Sequence, residues 1–244
     1  MTRAGNERLD RALVERGLVE TRAKAQALIL AGQVLVDGRR AEKAGQPVAV
    51  TSQVRVLERM PYVSRGGFKL AAALDGFEIQ VEGRICLDVG ASTGGFTDCL
   101  LQRGAGRVYA VDVGRGQLDW KLRNDPRVVV KEGLNARYLR VEDLGERVDL
   151  AVCDVSFISA RLILPALAAV LKEAGEMVIL VKPQFEAGRG QVGKGGIVRD
   201  PAVRQAACAR VEEAVRRLGF QTSLRESPLA GAEGNLEYLL YARH

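Results

Sequence analysis

The stretch Ile85–Leu100, ICLDVGASTGGFTDCL, decides the fold. An apolar run closes on an acid and a glycine, and a glycine-rich turn feeds a segment of helical composition. A strand that hands the chain to a helix in this way offers a nucleotide the backbone N–H groups and positive end of that helix. A dinucleotide fingerprint asks for G-x-G-x-x-G, whereas the register here is Gly90, Ser92, Gly95. The missing middle glycine is the one that lets backbone approach a pyrophosphate. Asp88 is also poorly placed beside phosphates, but well placed beside a cation such as the methionine end of S-adenosylmethionine. The turn Gly90, Ala91, Ser92, Gly94, Gly95 and Phe96 would then wrap that cofactor, with Asp88 beneath it. Asp112, which ends RVYAVDV 22 residues after Gly90, suits ribose hydroxyls. Asn135, in KEGLNARYL, would lie near the adenine edge, although an asparagine after a strand more often serves a turn. The competing reading is a βαβ turn with a structural role alone.

From residue 80 onward strands and helices alternate. The spacing predicts strands at 84–89, 107–112, 127–131, 148–154, 176–181, 219–224 and 236–242. Segments 94–103, 115–123, 157–172 and 201–217 read as helical. Such alternation implies an α/β domain with a mostly parallel, seven-stranded sheet, helices on both faces, and ligands at the carboxyl ends of the strands. The fourth strand ends in AVCDVSF, which puts Asp154 at the mouth of the sheet beside the cofactor. The fifth ends in VILVKPQFE, which puts Lys182 next to it. A lysine after four apolar residues is either a base at a reacting centre or a side chain snorkelling to pair with Asp154.

The front of the chain reads differently. RLDRALVERGL spaces Leu9, Ala12 and Leu13 along one helical face and ends at Gly17. TRAKAQALILAG starts at the N-cap candidate Thr21 and stops at Gly32. QVLVDGRR alternates Val34 and Val36 before an Asp37-Gly38 hairpin turn, and two short alternating pieces follow at Val48/Val50 and Val54/Val56. The unit is therefore helix, helix, small sheet. The chain carries a net charge of +6; residues 1–59 hold eleven Lys or Arg against seven Asp or Glu, so most of the excess sits in front. Arg8, Arg11, Arg22, Lys24, Arg39 and Arg40 fall off the apolar faces and could meet phosphates. Domains at 1–59 and 60–244, with a linker about 58–63 stopped by Pro61, follow from this division.

Several function classes are excluded or weakened. The one histidine is His244, which leaves no histidine-based triad or zinc site, and no metal is expected. The four cysteines, at 86, 99, 153 and 208, form no C-x-x-C pair and read as buried thiols. No apolar run is long enough to span a bilayer and the first ten residues carry no hydrophobic signal, so a cytoplasmic protein is expected.

The front segment RLDRALVERGLVETRAKAQALILAGQVLVDG resembles the RNA-binding domain named after small-subunit ribosomal protein four. YVSRGGFKL, CLDVGASTGGFTDCL, CDVSFISARLILPAL, VKPQFEAGRGQVGKGGIVRDP and NLEYLL resemble the TlyA, or hemolysin A, family, in order from about residue 6 to the end. The resemblance implies a Rossmann-like class I methyltransferase domain of FtsJ type behind a small α+β RNA-binding domain. It further implies S-adenosyl-L-methionine as cofactor, ribosomal RNA or ribosomal subunits as partner, and 2′-O-methylation of cytidine ribose as activity. It carries over a catalytic tetrad of Lys69, Asp154, Lys182 and Glu237, two of which spacing alone would not single out. Lys182 would be the base or would stabilise the developing alkoxide, and Lys69 would add positive charge. The loop EAGRGQVGKGGIVRD falls on the RNA side of the cleft, with Arg189, Lys194 and Arg199 reaching for phosphates, as Arg65 would in SRGG. Phe157 and Phe185 flank the catalytic strand tips, where core packing is the expected role of each ahead of base stacking. Ser92 and Thr93 depart from the Ala-Pro of the wider FtsJ group. The rival readings are a non-catalytic ribosome-assembly factor, a dehydrogenase, which Asp88 and Ser92 oppose, and a membrane-lytic protein, for which no amphipathic or spanning segment is found.

Overall fold

The computed structural model of the chain describes residues 5–57, 60–188, 190–231 and 234–244. Contacts divide the chain into two compact units, Met1–Pro61 and Tyr62–His244.

In the front unit, helices α1 (Leu9–Glu15) and α2 (Arg22–Leu30) pack Leu9, Leu13, Ala25 and Ile29 out of water. Thr21 caps α2 by accepting from the Lys24 N–H at 3.2 Å. Strands β2 (Val34–Val36) and β3 (Arg39–Arg40) join through Asp37 and Gly38, both at positive φ, and β5 (Val54–Val56) flanks β2. The periodicity does not reveal β1 (Asn6–Arg8), three polar residues that pair with β4 (Pro47–Ala49). A pairing made by backbone alone leaves no apolar alternation to read.

The second unit holds a seven-stranded sheet. Its strands are β6 (Ile85–Val89), β7 (Arg107–Asp112), β8 (Val128–Glu132), β9 (Val148–Cys153), β10 (Leu171–Val181), β11 (Gln221–Glu226) and β12 (Tyr238–Arg243). Their spatial order is β11-β12-β10-β9-β6-β7-β8; β10, β9, β6, β7 and β8 run parallel, while β12 is antiparallel to both neighbours. The parallel strands are apolar on both faces because both are covered. Cys86, Val108, Leu150 and Val178 face α3 (Gly66–Gly76) and α4 (Gly95–Gln102). Leu87, Tyr109, Ala151 and Ile179 face the opposite core, which α7 (Leu164–Val170) and α9 (Pro201–Arg216) complete. No helix among the described residues is long and apolar enough to cross a membrane, and all four cysteines are buried and free.

Two predicted helices shorten. Of segment 115–123 only α5 (Trp120–Arg123) is helical, because Gly114 and Gly116 donate their N–H groups to the Asp112 and Glu132 carboxylates instead of to a helix. Segment 157–172 breaks into a short 3₁₀ turn (Ala160–Leu162) and α7, since Phe157 sits at φ +66°, and Leu171 already pairs with Val148 as the start of β10.

The turn after β6 is built on glycines for two different reasons. Gly90 has φ +82°, and a Cβ there would lie 2.3 Å from the Asp154 carbonyl oxygen. At Gly95 a Cβ would lie 2.1 Å from Ser64 Oγ and 3.0 Å from the Gly67 nitrogen, so this residue lets α4 approach the entry to α3. Gly90→Ala should therefore cost about 2 kcal/mol or more through the left-handed backbone and the carbonyl overlap together. Thermal unfolding of the variant should show a Tm several degrees lower; an unchanged Tm would refute the close approach.

Candidate active site

Five elements converge at the carboxyl edge of the parallel strands. Val89 and Val181 end two of them, and the chain continues into Gly90 and Lys182, while Asp154 follows Cys153 at the end of β9. The Asp154 N–H donates to the Val89 carbonyl at 2.9 Å, which stitches the acid against the first turn. Because β12 runs the other way, Tyr238 pairs with Val181, and so Glu237, entering β12, stands opposite Lys182, leaving β10. Lys69 comes from the first turns of α3.

Two ion pairs result. The Lys182 ammonium lies 2.6 Å from Asp154 Oδ1 and donates to Ser156 Oγ at 2.8 Å. Lys69 donates to Glu237 Oε2 at 2.5 Å, and both residues are buried. A buried ammonium–carboxylate contact of this length holds because removing either charge would strand the other away from water. Glu237 is further confined by Gly231, whose missing Cβ would overlap its carboxylate at 1.9 Å. Ser156, two residues after Asp154, escaped the sequence reading because a serine after a strand carries no signal of its own.

Beside the pairs lies a cleft of about 520 Å³, within the range of small-molecule sites. Of the ten residues expected to hold a cofactor, Gly90, Ser92, Asp112, Asn135 and Asp154 line it. Its apolar wall is made by Val89, Val111, Leu134 and Ile163, residues that read from sequence as core alone. Ser92, at φ +48°, donates its N–H to Asp112 Oδ2 at 2.8 Å, and Gly114 donates to the other oxygen at 2.7 Å, so the acid is fixed at the rim. Asn135 accepts from the Arg137 N–H at 3.1 Å and caps a short 3₁₀ turn. Asp88, Ala91, Gly94, Gly95 and Phe96 are not among the lining residues. Phe96 packs in the core, and a Cβ on Gly94 would overlap Leu122 at 2.2 Å.

Asp88 lies fully buried in β6, one residue below the cleft floor. Thr97 donates its hydroxyl to Oδ2 at 2.7 Å, while Oδ1 has no hydrogen-bond partner. Burial pushes this carboxyl up to about 7; the Thr97 hydroxyl opposes the shift, and the negative charges of Asp154 and Asp112 add to it. Three carboxyl groups thus share one neighbourhood of the cleft, Asp154 paired with Lys182 and Asp88 raised by burial, an arrangement that accommodates a cation better than a pyrophosphate.

Phe157 corrects the sequence expectation. It lines the cleft, is 92% exposed, and adopts φ +66°, a backbone state rare for a bulky residue. Its ring centroid lies 5.4 Å from that of the half-buried Phe185. Glu186 holds this corner by accepting from Ser159 Oγ and the Ala160 N–H, each at 2.6 Å, and from Arg161 at 3.1 Å.

The candidate RNA contacts spread across both units. In the front unit, Asp10 is buried and accepts from Arg8, Arg22 and Gln26 at 2.9–3.1 Å, which holds its carboxyl well below the usual range. Arg8 and Arg22 are thus fixed by a carboxylate while remaining half exposed. Lys24 pairs with Glu20 at 3.2 Å, and Arg11, Arg39 and Arg40 are exposed. In the second unit Arg65, Lys194 and Arg199 are exposed. Arg189 lies outside the described residues, as do 58 and 59 of the expected linker.

Comparison with known proteins follows the same division. The model of FtsJ-like methyltransferases matches residues 62–244, and that of the S4 domain matches residues 7–54. The chain is 50% identical over 243 residues to a Mycobacterium tuberculosis protein named 16S/23S rRNA (cytidine-2′-O)-methyltransferase TlyA, covering 98% of this chain and 91% of that one. It is 46% identical to Hemolysin A of Brachyspira hyodysenteriae over 96% of this chain and 98% of that one. A solved structure from Streptococcus thermophilus, 45% identical, superposes with a TM-score of 0.75 over 98% of this chain and 89% of that one.

Asp88 predicts a pH dependence. Its folded-state pKa lies above the unfolded value near 4, so between about pH 4 and pH 7 the folded chain keeps a proton that the unfolded chain has lost. Its contribution therefore falls as pH rises through that window. In Asp88→Asn, which keeps an acceptor for Thr97, stability relative to the wild type should grow by about 1.4 kcal/mol per pH unit across the window. Parallel stability curves for the two proteins would show that Asp88 does not carry this proton.

Proposed function

The chain belongs to the TlyA (hemolysin A) family, with an S4 domain in front of an FtsJ-like methyltransferase domain, and from that premise we propose that it methylates the 2′-hydroxyl of cytidine ribose in small- or large-subunit ribosomal RNA. The observation that carries the reading is the Asp154–Lys182 ion pair at the lip of the cleft, with Lys69–Glu237 arriving from α3 and β12. A ribose hydroxyl is a weak acid and a weak nucleophile, so its attack needs alignment and a place for its proton.

The cofactor in this reading is S-adenosyl-L-methionine, which when bound supplies an electrophilic methyl group on a positively charged sulfur. Asp112 would hold its ribose hydroxyls, Asn135 would stand near the adenine edge, and Gly90 and Ser92 would form the floor. The carboxyl groups of Asp88, Asp112 and Asp154 would suit a cationic ligand better than a pyrophosphate, because its positive charge would favour the ionised form of each. Lys182, once it has given its own proton to solvent, would accept a hydrogen bond from the 2′-hydroxyl and take its proton as the oxygen bonds to the methyl carbon and the methyl–sulfur bond breaks. Asp154 and Ser156 would keep the Lys182 amine aimed at that oxygen. Glu237 and Lys69 would hold the ribose in register from the opposite side. Phe157, exposed at the same lip, would stack on the extruded base.

The front unit, residues 1–59, would add affinity for the rRNA backbone through Arg8, Arg11, Arg22, Lys24, Arg39 and Arg40, and residues 60–244 would carry out the transfer. Binding should weaken steeply with salt, as phosphate contacts do. The place of action in this reading is the cytoplasm, where ribosomal subunits are.

The test is transfer from labelled S-adenosylmethionine to purified 30S and 50S subunits, followed by nucleoside mass spectrometry. Wild-type protein should yield 2′-O-methylcytidine, and Lys182→Ala should lower the rate about a thousandfold while cofactor binding persists. Failure of the wild type on both subunits would sink the reading. Phe157→Ala should raise KM for the subunit about tenfold, the loss of one base–aromatic stack, and leave cofactor affinity unchanged; an unaltered KM would remove the stacking role.

A further inference from the structure

Asn235 enters none of the roles above, yet it is 4% exposed and its side chain is fully engaged with backbone on both sides. Its Oδ1 accepts from the Val198 N–H at 3.0 Å, and its Nδ2 donates to the Gly196 carbonyl at 2.9 Å. Both partners belong to the glycine-rich loop Gly193–Val198, where Gly195 and Gly196 adopt φ +78° and +75°. Glycines at such angles have many alternatives, and besides two backbone hydrogen bonds of its own, Gly193 to Ile197 and Gly196 to Gly193, this loop is held by Asn235.

The other end of the same short segment reaches the catalytic pair. The Asn235 carbonyl accepts from the Gly231 N–H at 2.8 Å, and Gly231 is the residue pressed against the Glu237 carboxylate. Glu237, two residues on, holds Lys69, and its carbonyl accepts from the Ser227 N–H at 2.9 Å. On the loop side, Arg204 of α9 grips the Val198 and Arg199 carbonyls at 3.1 and 2.7 Å, next to the exposed Lys194 and Arg199. Asn235 is thus bonded on one side to the loop backbone and on the other to Gly231, which forms the wall of the Glu237 pocket.

We propose that Asn235 is a positioning residue that latches the glycine-rich loop to the Lys69–Glu237 pair, so that RNA phosphates gripped by the loop set the geometry of the catalytic lysine–carboxylate contact. The proposal rests on the reading of this cleft as an rRNA methyltransferase site. Discrimination then comes from the latch: a polyanion that engages Lys194 and Arg199 in the wrong register leaves Glu237 and Lys69 out of place.

The experiment uses the full chain with Asn235→Ala, Asn235→Asp, Lys194→Ala and the Asn235→Ala/Lys194→Ala double variant. Amide hydrogen exchange without RNA should show Val198 exchanging at least about tenfold faster in Asn235→Ala, with β6 and β10 still protected. With ribosomal subunits, kcat should fall about tenfold while the affinity for S-adenosylmethionine stays within about twofold, a split that general destabilisation would not produce. Lys194→Ala should raise KM in the wild-type background and have little further effect on the Asn235→Ala protein. Asn235→Asp keeps the acceptor for Val198 and loses the donor to Gly196, and it serves where the alanine variant does not fold; it should keep Val198 protected and still lower kcat. Unchanged exchange at Val198, or Lys194 and Asn235 effects that simply multiply, would overturn the latch. A wild type inactive on every ribosomal substrate would instead fail the functional reading, while the exchange result would still judge the latch by itself.

Discussion

The site depends on how closely β6 and β9 can come together at their ends. The Asp154 amide donates to the Val89 carbonyl, and the Asp154 carbonyl sits where a Gly90 side chain would be. A residue with a Cβ at position 90 would push the tips apart, and the cleft floor and Asp154 would separate. Asp154 fixes Lys182, and the register of β10 with β12 places Lys182 opposite Glu237. One bare Cα therefore holds the glycine turn and the two lysine–carboxylate pairs in a common frame.

Electrostatics adds a second layer. Asp154 and Glu237 are each neutralised by a lysine, while Asp88 is left with one oxygen unpartnered. Unpaired buried acids are rare because they cost free energy, and they persist where a function needs the charge pattern. The front unit treats charge in the opposite way. Asp10 sits beneath Arg8 and Arg22 and orders them, so two half-exposed guanidinium groups stand ready at small entropic cost.

What was legible in the sequence follows from what leaves a periodic trace. Apolar runs ending at Val89, Cys153 and Val181 predicted the strands to within a residue or two at their carboxyl ends, and with them Asp154 and Lys182. Lys69 and Glu237 came through family resemblance, because a lysine on a helix and a glutamate before a strand look like any solvated pair. β1 went unseen because its pairing is made by backbone, and the truncation of the 115–123 helix because carboxylates took the N–H groups that a helix would use. The exposure of Phe157 was misjudged because an aromatic after an apolar strand ordinarily packs inward, and only the positive φ turns it out.

The reversed strand has a temporal meaning as well. Lys69 and Glu237 are 168 residues apart in sequence, and their contact needs β12 to pair with β10, carrying β11 on its outer edge. A chain that has reached β10 already holds the glycine turn, Asp154 and Lys182, yet its sheet still lacks the strand that brings Glu237. Such a non-local closing step comes late in folding. The Lys69–Glu237 contact is thus completed only when the final strand pairs with β10.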